Sequence, residues 1–138
     1  ETYLGPEGGE TDAVKVAAKT PDLMSFNGYA FQYAHRPLPA VAGERVRFWV
    51  LDAGPNRASS FHIVGGQFDT SWTEGSYTLR RGEGAFGATD GGAQVLPLLP
   101  AQGGFVELTF PEPGHYPAVS HVIVDAERGA HAVVEVSP

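Results

Sequence analysis

A chain of 138 residues suffices for one domain with a single sizeable core. Its net charge of −7 argues against nucleic acid and against anionic membrane surfaces as partners. It has no cysteine, which excludes disulfides, Fe–S clusters, thiolate zinc sites, thiol catalysis and a blue-copper site, whose short equatorial bond needs sulfur.

In chain order, Gly5-Pro6-Glu7-Gly8-Gly9 reads as a linker. Thr11 is placed to cap a short helix over residues 11 to 19, with Asp12 in its first turn and Thr20-Pro21 as its stop. Strand patterns then follow at short intervals. Leu23 to Phe26 is the first, ended by Asn27-Gly28; Val46 to Leu51 becomes continuously apolar, as a strand buried on both sides would. Phe61 to Val64 closes on Gly65-Gly66, and Phe68 to Trp72 with Ser76 to Leu79 flank a hairpin turn at Thr73-Glu74-Gly75. Arg81 to Gly92 is Gly-rich and reads as loop. Ala93 to Leu99, Phe105 to Phe110, Tyr116 to Ser120 and Ala132 to Val136 complete the set.

Eighteen Gly and eleven Pro punctuate the chain too often for long helices, so the pattern predicts an all-β Greek-key sandwich with one short N-terminal helix. Val46, Phe48, Val50, Phe105, Leu108, Phe110, Val133 and Val134 are the expected core. No apolar run approaches the ~20 residues of a membrane span, and no signal peptide is present. The chain opens at Glu1 with its only methionine at Met24, as a processed chain or a fragment does.

Of five histidines, His35, His115 and His131 sit in loop, turn or strand-end contexts that suit solvated or structural roles. His62 and His121 stand inside apolar runs, Phe61-His62-Ile63-Val64 and Val119-Ser120-His121-Val122-Ile123-Val124. A buried imidazole without a partner costs about 1–3 kcal/mol, so each ring needs an acceptor or a ligand. Two readings stand: a hydrogen bond to backbone, or a metal or substrate on one nitrogen and an outer partner on the other. Ser59, Ser60 and Ser120 have histidines nearby in sequence, but none lies in a Gly-x-Ser-x-Gly elbow. Asp125, four residues after His121, either orients that imidazole or faces water.

Several stretches point to a family: Phe26-Asn27-Gly28-Tyr29, Gly43-Glu44-Arg45-Val46-Arg47, Phe61-His62-Ile63-Val64-Gly65-Gly66, Pro100-Ala101-Gln102-Gly103-Gly104, and Pro113-Gly114-His115-Tyr116 running into Ser120-His121. With these, the span from about Pro21 to Val136 resembles the second, C-terminal cupredoxin domain of copper-containing nitrite reductases, within the multicopper oxidase superfamily. The Gly-Glu-Arg-Val and Pro-Gly-x-Tyr pieces specify only the superfamily; the His-apolar-apolar-Gly-Gly stretch with a later lone His is more specific. Laccase final domains carry a His-Cys-His segment, whereas Val119 and Ser120 precede His121 here, and Asp125 stands four residues on.

The resemblance implies residues 1–20 as linker and short helix and residues 21–138 as the cupredoxin-like domain. It implies His121 as one ligand of a type 2 copper between subunits of a homotrimer, His62 as a proton-donating catalytic residue, and Val64 as the apolar wall where nitrite docks. No type 1 copper is expected in this chain. Implied partners are a first cupredoxin domain of the same enzyme and nitrite, with no nucleic acid and no membrane, in a periplasmic or extracellular, secreted location. The isolated domain is expected to be inactive. Two other functions compete: a cupredoxin-like domain that only binds copper or forms a trimer, and an adhesive or carbohydrate-binding sandwich.

Overall fold

Strand alternation in this chain sorts residues between a shared interior and two outer faces. The computed structural model describes residues 1–138. One sheet contains, in spatial order, β1 (Leu38–Val41), β10 (His131–Ser137), β9 (Gly114–Ser120), β3 (Ser59–Ile63) and β7 (Val95–Leu98). The other contains β2 (Arg45–Leu51), β8 (Gly103–Thr109), β4 (Thr70–Thr73), β5 (Ser76–Arg80) and β6 (Glu83–Gly84). Only β1 and β10 pair in parallel. The chain crosses repeatedly between the sheets, which is the connectivity of a Greek-key sandwich.

Thirteen buried residues from both sheets form the core, among them Ile63, Phe68, Leu96, Leu108, Phe110 and Val134. Val46, Phe48 and Val50 project inward from β2 and pack against this cluster while half-buried. The alternate residues of β2 face out, and Trp49 and Leu51 are each 67% exposed. The expectation of a strand buried on both sides is therefore corrected. β2 is the edge strand of its sheet and that sheet's outer face meets solvent, so four consecutive apolar residues split between two environments. Phe105 is buried as expected, but on the outer face, where its ring lies 4.8 Å from Trp49 and is stacked at 5.6 Å on Trp72. Val133 is half-buried on the face opposite Val134.

The short N-terminal helix is present as α1 (Ala13–Ala18). Its N-cap is Asp12 rather than Thr11; the Asp12 carboxylate accepts the N–H groups of Val14 at 2.8 Å and Lys15 at 3.0 Å. Two further short helices, α2 (Gln32–His35) and α3 (Ile123–Glu127), were not foreseen. Leu23 to Phe26 forms no ladder; it contributes isolated bridges to Thr2 and Tyr29. The Arg81–Gly92 stretch is turns and bends apart from the two residues of β6. Pro97 is tolerated in β7 because that strand lies at the sheet edge.

Candidate functional site

β3 positions the site. Phe61 and Ile63 are buried in the core, so the period of two turns Ser60 and His62 to the outer face. Phe61 is fixed by a parallel stack on Phe68, with centroids 6.3 Å apart. β9 runs antiparallel beside it, pairing His62 with Val119 and Phe61 with Ser120. One residue beyond β9, the His121 N–H donates to the Ser60 carbonyl at 2.7 Å, extending the ladder by one bond. This brings the two imidazoles together: their ring centroids are 5.3 Å apart, at 66°.

His62 Nδ1 lies 2.5 Å from the Gln94 carbonyl oxygen. A carbonyl only accepts, so Nδ1 carries the hydrogen and Nε2 is left for another partner. A backbone bond and a ligand are not exclusive for this ring: one nitrogen has the backbone bond and the other is free. Ser60, His62, Gln94, Val95 and His121 line an open cavity of about 380 Å³. Gln94 and Val95 were not singled out in the sequence. Val95 is the cross-strand partner of His62, and Gln94 contributes a backbone atom, which no residue type announces. Val64 follows His62 and is 45% exposed, but it is not among the residues lining this cavity.

Asp125 neither faces water nor orients His121. It is fully buried, accepts from Arg57 Nε at 3.2 Å and has its other oxygen 3.0 Å from a second guanidinium nitrogen. The pair ties α3, just after His121, to the loop before β3. His35 ends α2, and His131 opens β10. His115 is exposed on β9, 3.7 Å from Glu135. None of these three lines the cavity holding His62 and His121.

A larger cavity lies elsewhere, about 1030 Å³ between the sheets, with Phe48, Trp49, Phe61 and Asp52 in its wall and no histidine. Burial pushes the Asp52 carboxyl up, against a backbone hydrogen bond from Gly54 that lowers it. Its chemistry is that of an apolar cleft, whereas the smaller cavity carries the groups that can ligate or move protons.

Neutral imidazole suits Cu(II), and a ring held by a carbonyl at one nitrogen while the other is free has the arrangement of a metal or substrate contact. The residues present therefore fit a share of a copper site. They do not make a whole one: no group of three or more His, Cys, Asp or Glu comes together to hold a metal ion.

No family model matches the chain. It is 34% identical over 121 residues to the copper-containing nitrite reductase of Neisseria gonorrhoeae, an alignment covering 86% of this chain and 28% of that protein. In structure it is similar to the Cu-containing nitrite reductase of Thermus scotoductus SA-01, with TM-score 0.76 and 27% identity over 90% of this chain and 27% of the other. It is equally similar to the copper nitrite reductase of Nitrosomonas europaea, with TM-score 0.76 and 25% identity over 98% of this chain and 45% of the other. The chain thus spans about a quarter to under a half of these relatives' length. By sequence and by fold, it is a cupredoxin-like relative of one domain of the copper-containing nitrite reductases.

Proposed function

We propose that this chain contributes one type 2 copper ligand, His121, and one proton-donating residue, His62, to the one-electron reduction of nitrite to nitric oxide. The observation that carries the reading is the paired imidazoles, 5.3 Å apart on one outer face, with His62 anchored through Nδ1 to the Gln94 carbonyl. Nitrite, one electron and two protons give nitric oxide and water. Bound copper would pass the electron and polarise the anion. His62 does the acid chemistry: with Nδ1–H fixed, Nε2 takes a proton and presents it to a nitrite oxygen, so the charge change occurs at one nitrogen. The Gln94 carbonyl keeps the ring from turning away between transfers. Val64, exposed two residues beyond His62 and outside the lining of this cavity, would serve as the apolar wall of the docking place once a covering partner extends the pocket over it.

One chain brings only these two histidines, so the remaining ligands and the electron donor come from a first cupredoxin domain of the same enzyme. The site lies between subunits of a homotrimer, in a periplasmic or secreted protein. The exposure of Val64, two residues beyond His62, and of Ile123 and Val124, soon after His121 in the chain, supports a covering partner. The incomplete ligand set also supports a second reading, a cupredoxin-like domain that binds copper or forms the trimer without turnover.

The test is metal analysis and steady-state nitrite reduction on the assembled protein. His121→Ala should lose most of the type 2 copper. His62→Ala should keep it and lose roughly 10²–10⁴-fold in rate, the range for a positioned acid or base. Reversed outcomes would exchange the two roles. Copper retained in the wild type with no nitrite turnover would favour the second reading.

A further inference from the structure

Ser60 has a place in the His62–His121 cavity that its sequence context did not explain. We infer that the Ser60 hydroxyl is a positioning group for the anion, donating a hydrogen bond to a nitrite oxygen; this rests on the nitrite reading above. Ser60 and His62 are two residues apart on β3, and the burial of Phe61 and Ile63 locks both onto the outer face. The Ser60 carbonyl accepts the His121 N–H at 2.7 Å, which seats the second imidazole directly beside it. Ser60 therefore bonds the His121 backbone, shares the outer face of β3 with His62, and lines the cavity that holds both rings.

Its neighbour gives the contrast. Ser59 turns inward and its hydroxyl reaches the Ser120 hydroxyl at 3.4 Å. The Ser60 hydroxyl has no protein partner, so its hydrogen and lone pairs are available to whatever enters. In the same wall, Val95 is apolar and the Gln94 carbonyl is taken by His62. The Gln94 amide is the other free donor, but it belongs to a long side chain on an exposed residue, and ordering it costs rotamer entropy that a serine hardly loses.

A hydroxyl at this point does two things for a small oxyanion. It donates to one anion oxygen, and beside the His62 Nε2–H on another oxygen it holds the proton donor and the anion in a fixed relation. It transfers no net proton and leaves the stoichiometry unchanged. Anions whose acceptor oxygens diverge from a centre, as in nitrite, meet both donors; spherical halides meet only one well.

The test compares Ser60→Ala and Ser60→Thr in the copper-loaded assembled protein. Copper content, KM and kcat for nitrite are measured, together with nitrite affinity from the anion-induced change in the copper EPR signal. Loss of one hydrogen bond to a charged group should weaken nitrite affinity and raise KM about tenfold in Ser60→Ala. Its kcat should fall less and its copper content should not change. Ser60→Thr keeps the hydroxyl and should restore affinity. Wild-type affinity in Ser60→Ala overturns the inference, as does a Ser60→Thr variant that fails like the alanine, or copper loss in Ser60→Ala. If the copper-loaded wild type itself shows no EPR response to nitrite and no turnover, the nitrite reading has failed and this inference falls with it.

Discussion

Glu107→Gln should destabilise the second sheet in a way that depends on pH. Glu107 lies on the outer face of β8, opposite Arg47 of β2, and is nearly buried there. Its Oε2 accepts from Arg45 Nε at 2.9 Å and from a terminal nitrogen of Arg45 at 2.8 Å, while Oε1 accepts from Arg47 Nε at 2.7 Å. Burial alone would push this carboxyl up; the hydrogen bonds and charges of Arg45 and Arg47 outweigh that and hold it below the usual range. Hydrogen bonds to charged groups contribute about 1.5–3 kcal/mol, but Arg45 and Arg47 remain 34% and 46% exposed, so water can resolvate them. The expected loss at pH 7 is therefore about 1–2 kcal/mol, or roughly 1 M in the urea midpoint.

The folded pKa lies below the unfolded value of about 4.3, so the stabilisation is fully present above that pH. It disappears as pH falls through the folded value. Urea unfolding of both proteins at pH 7, 5 and 3 should show a gap that narrows at the acid end. Asp69, also held low beside Arg45, is common to both and contributes little to the difference. Equal midpoints at pH 7, or a gap undiminished at pH 3, would refute the reasoning.

Other outcomes follow from the packing and the donor set. Gly104→Ala would place its Cβ 2.4 Å from the Trp72 carbonyl oxygen, prising β8 from β4. It should cost about 1–3 kcal/mol in thermal unfolding, and an unchanged Tm would contradict this. Phe68→Ala removes a fully buried ring stacked on Phe61 and should cost about 3–5 kcal/mol by denaturant titration. Asp52 has its folded pKa raised by burial, so its contribution is favourable below the unfolded value near about 3.9 and is lost as pH rises through the folded one. Asp52→Asn should therefore gain on the wild type between pH 4 and pH 7, and a constant difference across that range would be wrong. After copper loading, the chain should show no intense visible band, since no thiolate is present for charge transfer to the metal; absorption spectroscopy reads this directly.

The sandwich was legible because its strands carry strong local signals. Val106, Leu108 and Phe110 alternate inward, and Asn27-Gly28 takes positive φ at both residues, at 53° and 85°. What escaped was decided at a distance. Val122-Ile123-Val124 has strand propensity, yet the segment turns into α3, where Asp125 meets an arginine 68 positions earlier. Phe105 reads as core by its type; only the neighbouring Trp49 and Trp72 show that an outer face can bury a ring. The histidine pair was visible because each imidazole interrupts an apolar run, but His121 is exposed, one residue past β9, so burial does not demand a partner for its ring as the run suggests. Gln94 was not visible, since its part is played by a main-chain oxygen that every residue possesses.

β3 also constrains how this gene can change. Substitutions at its outward positions alter chemistry while leaving Phe61 and Ile63 in place, so the cavity can diversify without loss of folding. A single-codon insertion or deletion just upstream would have the opposite effect. Sliding the strand by one position would drive an imidazole into the interior and put Phe61 on the outside, because side chains alternate strictly along a strand. Lineages carrying this domain should accept replacements at the outward positions of the segment 58–64 more readily than at Phe61 or Ile63, and almost no change in its length. The loop at 52–57 is less free still, since its Arg57 must keep its reach to Asp125.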